Sequence, residues 1–359
     1  MLVIHIGPRK TATTYLQSNF YRNRKELLKK GWLYPVISLT ARNAHHSIVS
    51  KLAEIKSGRG ALVQSIEKVG RSAASKGANI LISSENFRKW KASDFALLGE
   101  RFGQSDITIV YTLRDPLDLL LSVWGETVKN GRAVPLADYA AKHLAAPLKS
   151  PVLNCLQQLE PVIARPELRL MVLNFEELKR SGADIYSAFG QYVLGLDDLR
   201  PVQEKRRNLS FSPEINDFLR LIAREIAYDP KHADQLFSRQ FSRTHSVAEM
   251  ERITSTIRRV GQDAARTLTF SRDEPWYERL GEEIGTVLGG ALVPSSTTER
   301  LFPGGVLESV SYDIDTLAVL PEIRALVDRS LPKVRQAKLR WGRSGIVGAW
   351  RYLRRLFSV

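Results

Sequence analysis

The chain has 359 residues, 43% hydrophobic and 25% charged, with a formal net charge of +15 at pH 7. That length suits one large α/β domain or a core domain with an appendage. The charge suits an anionic ligand, an anionic membrane surface or nucleic acid. The single cysteine, Cys155, excludes an intrachain disulfide and a cysteine-built zinc site, and suits a reducing compartment. No apolar run reaches the roughly 20 residues of a membrane span. MLVIHI is too short for the apolar stretch of a secretory leader and has no basic residue before it. A cytoplasmic protein is therefore expected.

Leu2 to Ile6 reads as a buried strand. Tyr15 to Gly31 reads as a helix, with Tyr15, Leu16, Phe20, Leu27 and Leu28 able to share a face and Gly31 as its stop. A second helix is expected over 59–76 and a short strand over Asn79–Ile82, followed by the polar turn SSEN. Ile107–Leu113 (ITIVYTL) is the clearest strand, and Leu117–Val128 follows it as a helix. Arg169–Phe175 is a further strand. This alternation predicts an α/β fold with a parallel sheet and helices on both faces. Beyond about residue 205 no strong strand pattern is present. Helices are expected over 213–227, 246–268 and 275–289, then a loop from Gly289. The domains read as a core over 1–230, a mainly helical extension over 231–337 and a basic tail over 338–359.

GPRKTATT, Gly7 to Thr14, lies between the first strand and the first helix. It does not fit G-x-x-x-x-G-K-[ST]: the fifth residue after Gly7 is Ala12, and Lys10 precedes it. A tight turn at Gly7 and Pro8, with a helix starting at Thr13 or Thr14, still aims backbone N–H groups and a helix dipole at one point. Arg9 and Lys10 stand at a dipole end that repels cations, which a plain strand-to-helix connection with a threonine cap does not explain. The segment after the third long strand, YTLRDPLDLLLSVW, puts Arg114 at a strand's carboxyl edge, Pro116 at a helix start and Ser122 within that helix. Ligands of doubly wound sheets bind outside that edge, and arginine forks onto phosphate. The competing reading pairs Arg114 with Asp115 or Asp118.

Together, HIGPRKTATTYLQ and RDPLDLLLS resemble the sulfotransferases that use 3′-phosphoadenosine 5′-phosphosulfate (PAPS). In that family a loop written P-x-K-T-G-T-T or P-R-S-G-T-T holds the 5′-phosphosulfate, and R-x-P-x-x-x-x-x-S holds the 3′-phosphate. The second spacing is met in full by Arg114, Pro116 and Ser122. The first departs at Ala12, where many members carry glycine. If Ala12 is helical the change is harmless; if it is left-handed, alanine resists. The resemblance runs over 2–20 and 107–124, is weaker over 79–90 and 203–213, and does not extend beyond about residue 230. It implies a P-loop nucleotide-hydrolase-like sulfotransferase fold and PAPS as co-substrate, with no metal. It implies that Pro8, Arg9, Lys10, Thr11, Ala12, Thr13 and Thr14 cradle the 5′ group, that Lys10 offsets charge on the departing phosphate, and that Arg114 and Ser122 grip the 3′-phosphate. In QEKRRNLSFSPE, Arg206, Arg207, Asn208 and Ser210 resemble the basic stretch that closes over the nucleotide in bacterial members. A basic loop capping the helix at Pro213 is the alternative.

An acceptor hydroxyl or amine must lose a proton, so a base is expected in the crevice. Glu85, after the strand NILISS, is the first choice, and SSENF is similar to the segment carrying a glutamate base in polysaccharide-modifying members. His45 and His46 are the rivals, imidazole being matched to neutral pH. His5, on the buried strand, reads as a packed residue.

The tail from Lys338 carries six Lys/Arg and no Asp/Glu, with Ile346, Val347, Trp350, Leu353, Leu356 and Phe357 roughly on one helical face. Such a helix suits an anionic inner membrane face, or docking on the protein itself. The expected activity is sulfuryl transfer from PAPS to a hydroxylated acceptor, a carbohydrate or glycolipid. The alternatives are a P-loop kinase or NTPase, which requires a magnesium-binding aspartate and a Walker glycine, and a non-enzymatic basic membrane or polysaccharide binder. No base-reading motif, zinc finger or aromatic single-strand platform is present, so nucleic acid is not the expected partner.

Overall fold

A computed structural model describes residues 1–37, 39, 43–202, 211–226 and 236–335. The basic tail, together with Arg206, Arg207, Asn208 and Ser210, lies outside the described residues.

The strands are β1 (Leu2–Gly7), β2 (Trp32–Leu33), β3 (Asn79–Ser83), β4 (Ile107–Leu113), β5 (Leu168–Asn174), β6 (Ala265–Ser271), β7 (Leu292–Val293) and β8 (Val306–Tyr312). Six of them form one sheet in the order β2-β3-β1-β4-β5-β7, and every neighbouring pair is parallel. The protein is thus an α/β protein with a parallel sheet flanked by helices. β1 and β4 are buried along their whole length, as strands covered on both faces must be. In register, Ile4 of β1 lies between Ile82 of β3 and Ile109 of β4.

The chain groups into two compact units, each made of separate segments. The first comprises Met1–Leu120, Ala146–Leu209 and Ser271–Gly305, and contains the six-stranded sheet. The boundary expected at residue 230 falls outside the described residues. Ser271–Gly305 groups with the sheet because β7 pairs with β5 through Val172–Leu292 and Leu173–Val293. Two residues give too short a pattern to read as a strand from sequence. The first helix also differs from expectation. It breaks at Asn23 into Thr13–Arg22 and Arg24–Lys29. Thr13–Arg22 buries Leu16 and Phe20, and the Phe20 ring meets Phe189 at 4.9 Å and Tyr186 at 5.4 Å. This aromatic cluster fixes the helix directly behind the GPRKTATT loop.

The second unit comprises Leu121–Ala145, Ser210–Phe270 and Val306–Val359. Its core gathers Phe218, Leu219, Ile222, Phe241, Ile257, Ile323 and Val327 from the helices Pro213–Glu225, Leu236–Thr244 and Val247–Val260 and a helix over 321–335. The helix expected over 246–268 ends at Val260, and Ala265 begins β6, which pairs with β8 in a separate two-stranded sheet. β6 and β8 are largely solvent-facing, so their residues carry little of the apolar alternation that marks a strand. Among the described residues no helix is long and apolar enough to cross a membrane.

Candidate active site

Strand order locates the site. From β1 the chain builds β2 and β3 on one side of the sheet and then crosses to β4 on the other. The carboxyl end of β1 is therefore a switch point, the place where ligands of open α/β sheets bind. GPRKTATT follows β1, SSEN follows β3 and RDP follows β4. All three strands are parallel, so the three segments emerge at one edge of the sheet.

The loop after β1 is unusually contorted. Gly7 has φ 100° and the Gly7–Pro8 bond is cis. Lys10 (φ 70°) and Ala12 (φ 57°) are both left-handed, and they are two of the three non-glycine residues with positive φ among the described residues. Such residues are held at roughly 1–3 kcal/mol each and gather at ligand-binding turns. Alternating left-handed residues turn successive N–H groups to one side, the arrangement of an anion-binding nest. Thr11 is buried and its hydroxyl donates to the Pro8 carbonyl at 2.7 Å, which locks the turn. Ala12, not Thr13 or Thr14, is the N-cap of the helix Thr13–Arg22, and its carbonyl accepts the Leu16 N–H at 3.0 Å. Ala12 has no side chain to cap the helix, and Thr13 and Thr14 occupy the first turn. Ala12 is thus left-handed rather than helical, the conformation that glycine suits and alanine resists. Arg9 is exposed and donates to Asn86 Oδ1 at 3.0 Å, so its side chain is turned toward the segment after β3.

Glu85 packs against the start of this loop. A Cβ at Gly7 would stand 2.9 Å from Glu85 Cβ, so only glycine permits the approach. Gln17, one turn into the first helix, donates from Nε2 to Glu85 Oε2 and to Ser83 Oγ, both at 3.2 Å. Glu85 Oε1 faces His46, whose Nε2 is 3.7 Å away, while His46 Nδ1 pairs with Ser84 Oγ at 2.7 Å. Glu85 and His46, rivals in the sequence, are neighbours in space. His45 is different. It is fully buried; its Nδ1 accepts the Ser83 N–H at 3.2 Å, which leaves the proton on Nε2 for the Pro35 carbonyl at 3.0 Å. Burial pushes its pKa down to about 4, against the opposing pull of those backbone bonds. With both nitrogens committed, His45 is a neutral structural residue and not a base. His5 is also fully buried, with Nδ1 2.8 Å from Ser83 Oγ; burial lowers its pKa to about 4 despite the nearby Glu85 charge.

From β4, Arg114 Nη1 donates to the Lys10 carbonyl at 2.6 Å, and its guanidinium carbon stands 5.9 Å from the Phe175 ring centre. The two expected anion-binding segments are thereby tied to each other. The carboxylates proposed as partners for Arg114 are taken up by Arg272, whose Nε is 3.1 Å from Asp115 Oδ2 and whose Nη2 is 3.0 Å from Asp118 Oδ1. Tyr277 also donates its hydroxyl to Asp115 Oδ2. Burial pushes the Asp115 carboxyl above the usual carboxylate range, against the pull of the Asp118 N–H, the Tyr277 hydroxyl and the Arg272 charge. Ser122 lies on the helix Pro116–Lys129, in the portion that belongs to the second unit.

The first unit thus brings together Lys10, Thr11, Ala12, Thr13, Thr14, Arg114, Glu85 and His46. Gln17, Arg272 and Tyr277 escape sequence reading. Gln17 carries no motif signal beyond its place one turn after Thr13, and Arg272 and Tyr277 lie more than 150 residues from Asp115. Compared with known protein families, with curated proteins and with solved structures, the chain matches none.

Proposed function

We propose that the protein is a sulfotransferase of the P-loop-like fold that moves a sulfuryl group from PAPS to a hydroxyl or amine of an acceptor, a carbohydrate or glycolipid. One observation carries this reading: the Arg114 guanidinium is hydrogen-bonded to the Lys10 carbonyl at the switch point of the sheet. An N–H cradle and a forked cation are thereby held side by side, as a donor with anionic groups at both ends of its ribose requires. The residues fit that donor. The left-handed turn and the uncapped helix start suit the 5′ group, Thr13 and Thr14 add hydroxyl donors, and Lys10 adds a mobile charge. Arg114 suits the 3′-phosphate.

Catalysis on this reading is positioning and electrostatics. The acceptor oxygen forms a bond to sulfur as the bond from sulfur to the 5′-phosphate oxygen breaks. Lys10 offsets the charge that builds on that departing oxygen. The acceptor proton passes to Glu85. Gln17 pins Oε2, which leaves Oε1, the oxygen nearer His46, to receive it. His46 can then accept that proton and release it to solvent, its other nitrogen being steadied by Ser84 Oγ.

Thermal shift with 3′,5′-ADP, set against ATP with Mg²⁺, tests the reading. Stabilisation by 3′,5′-ADP is expected; stabilisation only by ATP with Mg²⁺ would reject it in favour of a kinase or NTPase. Lys10→Ala and Arg114→Ala should each weaken 3′,5′-ADP roughly 10- to 100-fold, the worth of one charge-assisted contact of about 1.5–3 kcal/mol. Transfer of sulfate from PAPS across a panel of glycans, glycolipids and small alcohols identifies the acceptor. A response to no donor and no acceptor would favour the non-enzymatic binder.

A further inference from the structure

Arg114 is followed by carboxylates at Asp115 and Asp118. Left uncompensated, either would compete with any anionic ligand for the Arg114 guanidinium. Arg272 holds both at once, with separate nitrogens at 3.1 Å and 3.0 Å. The Asp115 carboxylate is fully buried and the Arg272 side chain is only 11% exposed. The remaining oxygens are also occupied. Asp115 Oδ1 accepts the Asp118 N–H at 2.7 Å, and Asp118 Oδ2 is 3.2 Å from Lys179 Nζ. Arg272 is itself held by its own segment. Its N–H donates to the Gly305 carbonyl at 2.8 Å, and its carbonyl accepts from Arg300 Nη2 at 3.3 Å. Tyr277, from the same segment, places its hydroxyl on Asp115 Oδ2. Arg114 meanwhile reaches the Lys10 carbonyl at 2.6 Å.

We propose that Arg272 is a positioning residue for donor binding: by neutralising the two carboxylates that follow Arg114 in the chain, it keeps the Arg114 guanidinium turned to the Lys10 loop, where it would meet the 3′-phosphate. This rests on the PAPS reading of the site. It assigns a role to Ser271–Gly305, a segment with no part in the motifs.

The test compares 3′,5′-ADP with AMP, which lacks the 3′-phosphate, by isothermal titration. In Arg272→Ala, 3′,5′-ADP should weaken about tenfold or more, as when one member of a buried charge cluster is removed, while AMP changes little. Adding Asp115→Asn and Asp118→Asn to Arg272→Ala removes the competing charges and should restore most of the preference for 3′,5′-ADP. A purely structural role for Arg272 predicts equal losses for both nucleotides and no recovery in the triple variant, and either result overturns the proposal. If Arg272→Ala does not fold, Arg272→Lys carries the test, since lysine keeps the charge but cannot fork onto two carboxylates. A selective loss of 3′,5′-ADP is expected there, and affinity equal to the wild type overturns the proposal. A wild-type protein that does not distinguish the two nucleotides removes the donor reading itself, a result distinct from an unaffected Arg272 variant.

Discussion

Ala12→Gly should stabilise the protein. Ala12 has φ 57° and ψ 20° at the N-cap of the helix Thr13–Arg22. Holding an L-residue left-handed is unfavourable by roughly 1–2 kcal/mol, because Cβ crowds the following carbonyl. Glycine removes that crowding, but its unfolded chain is freer, which takes back about 0.4–1 kcal/mol. Glycine also ranks above alanine at an N-cap. The net expectation is a gain of about 0.5–1 kcal/mol. Urea denaturation followed by far-UV circular dichroism reads it as a higher midpoint at unchanged slope. Ala12→Val is the companion, since a β-branched residue is a worse fit to the left-handed region, and it should lose about 1 kcal/mol or more. A glycine variant with a midpoint equal to or below the wild type would refute the claim that the loop stores strain at Ala12.

Gly7→Ala should lose about 2–4 kcal/mol in the same assay, since it combines φ 100° with a Cβ 2.9 Å from Glu85 Cβ; a loss below about 0.5 kcal/mol would show that Glu85 does not depend on glycine there. Acid should destabilise the first unit through His5 and His45. Both are neutral in the fold with pKa lowered to about 4, while the unfolded chain takes up its protons near 6.5, so stability is whole above pH 6.5 and falls as pH drops toward 4. The loss is at most about 3 kcal/mol for each histidine. Urea midpoints from pH 7 to 4.5 measure it, His45→Gln should flatten the profile, and an unchanged profile counts against a neutral buried His45. In the second unit, Asp217→Ala should cost about 3–5 kcal/mol by leaving Arg220 buried without its carboxylate; hydrogen exchange along Pro213–Glu225 should quicken, and unaltered protection would mean the pair contributes nothing there.

The sheet was legible where burial makes the sequence monotonous. LVIHI and ITIVYTL are continuous apolar runs because β1 and β4 are covered on both faces, and the three polar turns that follow β1, β3 and β4 mark the carboxyl edge. Pairs of residues such as Trp32–Leu33 and Leu292–Val293 give no period to read. They are strands only because β3 and β5 offer them an edge. The break at Asn23 was hidden for a similar reason. Leu16, Phe20 and Leu27 keep a helical spacing across it, and all three are buried in one cluster. The site was read to the level of segments but not of side chains. His45 and His46 are adjacent in sequence, yet one faces Pro35 and the other Glu85, a distinction set by the backbone turn entering the helix His46–Ser50. The ion pairs of Asp115 and Asp118 come from a segment distant in sequence, and no local pattern announces such a partner.

The peptide joining Lys10 to Thr11 bears on which donor the crevice suits. In a trans peptide the carbonyl and the N–H point in opposite directions. The Lys10 carbonyl points at Arg114 Nη1, so the Thr11 N–H points away from it. An anion on that N–H and an anion on Arg114 would therefore lie off opposite edges of one peptide group. The triphosphate of ATP is a single run of anions and calls for donors and cations on the same side. A nucleotide whose anionic groups are separated by a ribose calls for two sites that face apart while sharing a wall. The left-handed turns at Lys10 and Ala12 suit the same arrangement, since such turns bring successive N–H groups to one side. Strain in the loop and the reach of Arg114 are on the proposed reading one device: the turn presents the Lys10 carbonyl, and Arg114, by donating to it, would hold the two proposed anion sites apart.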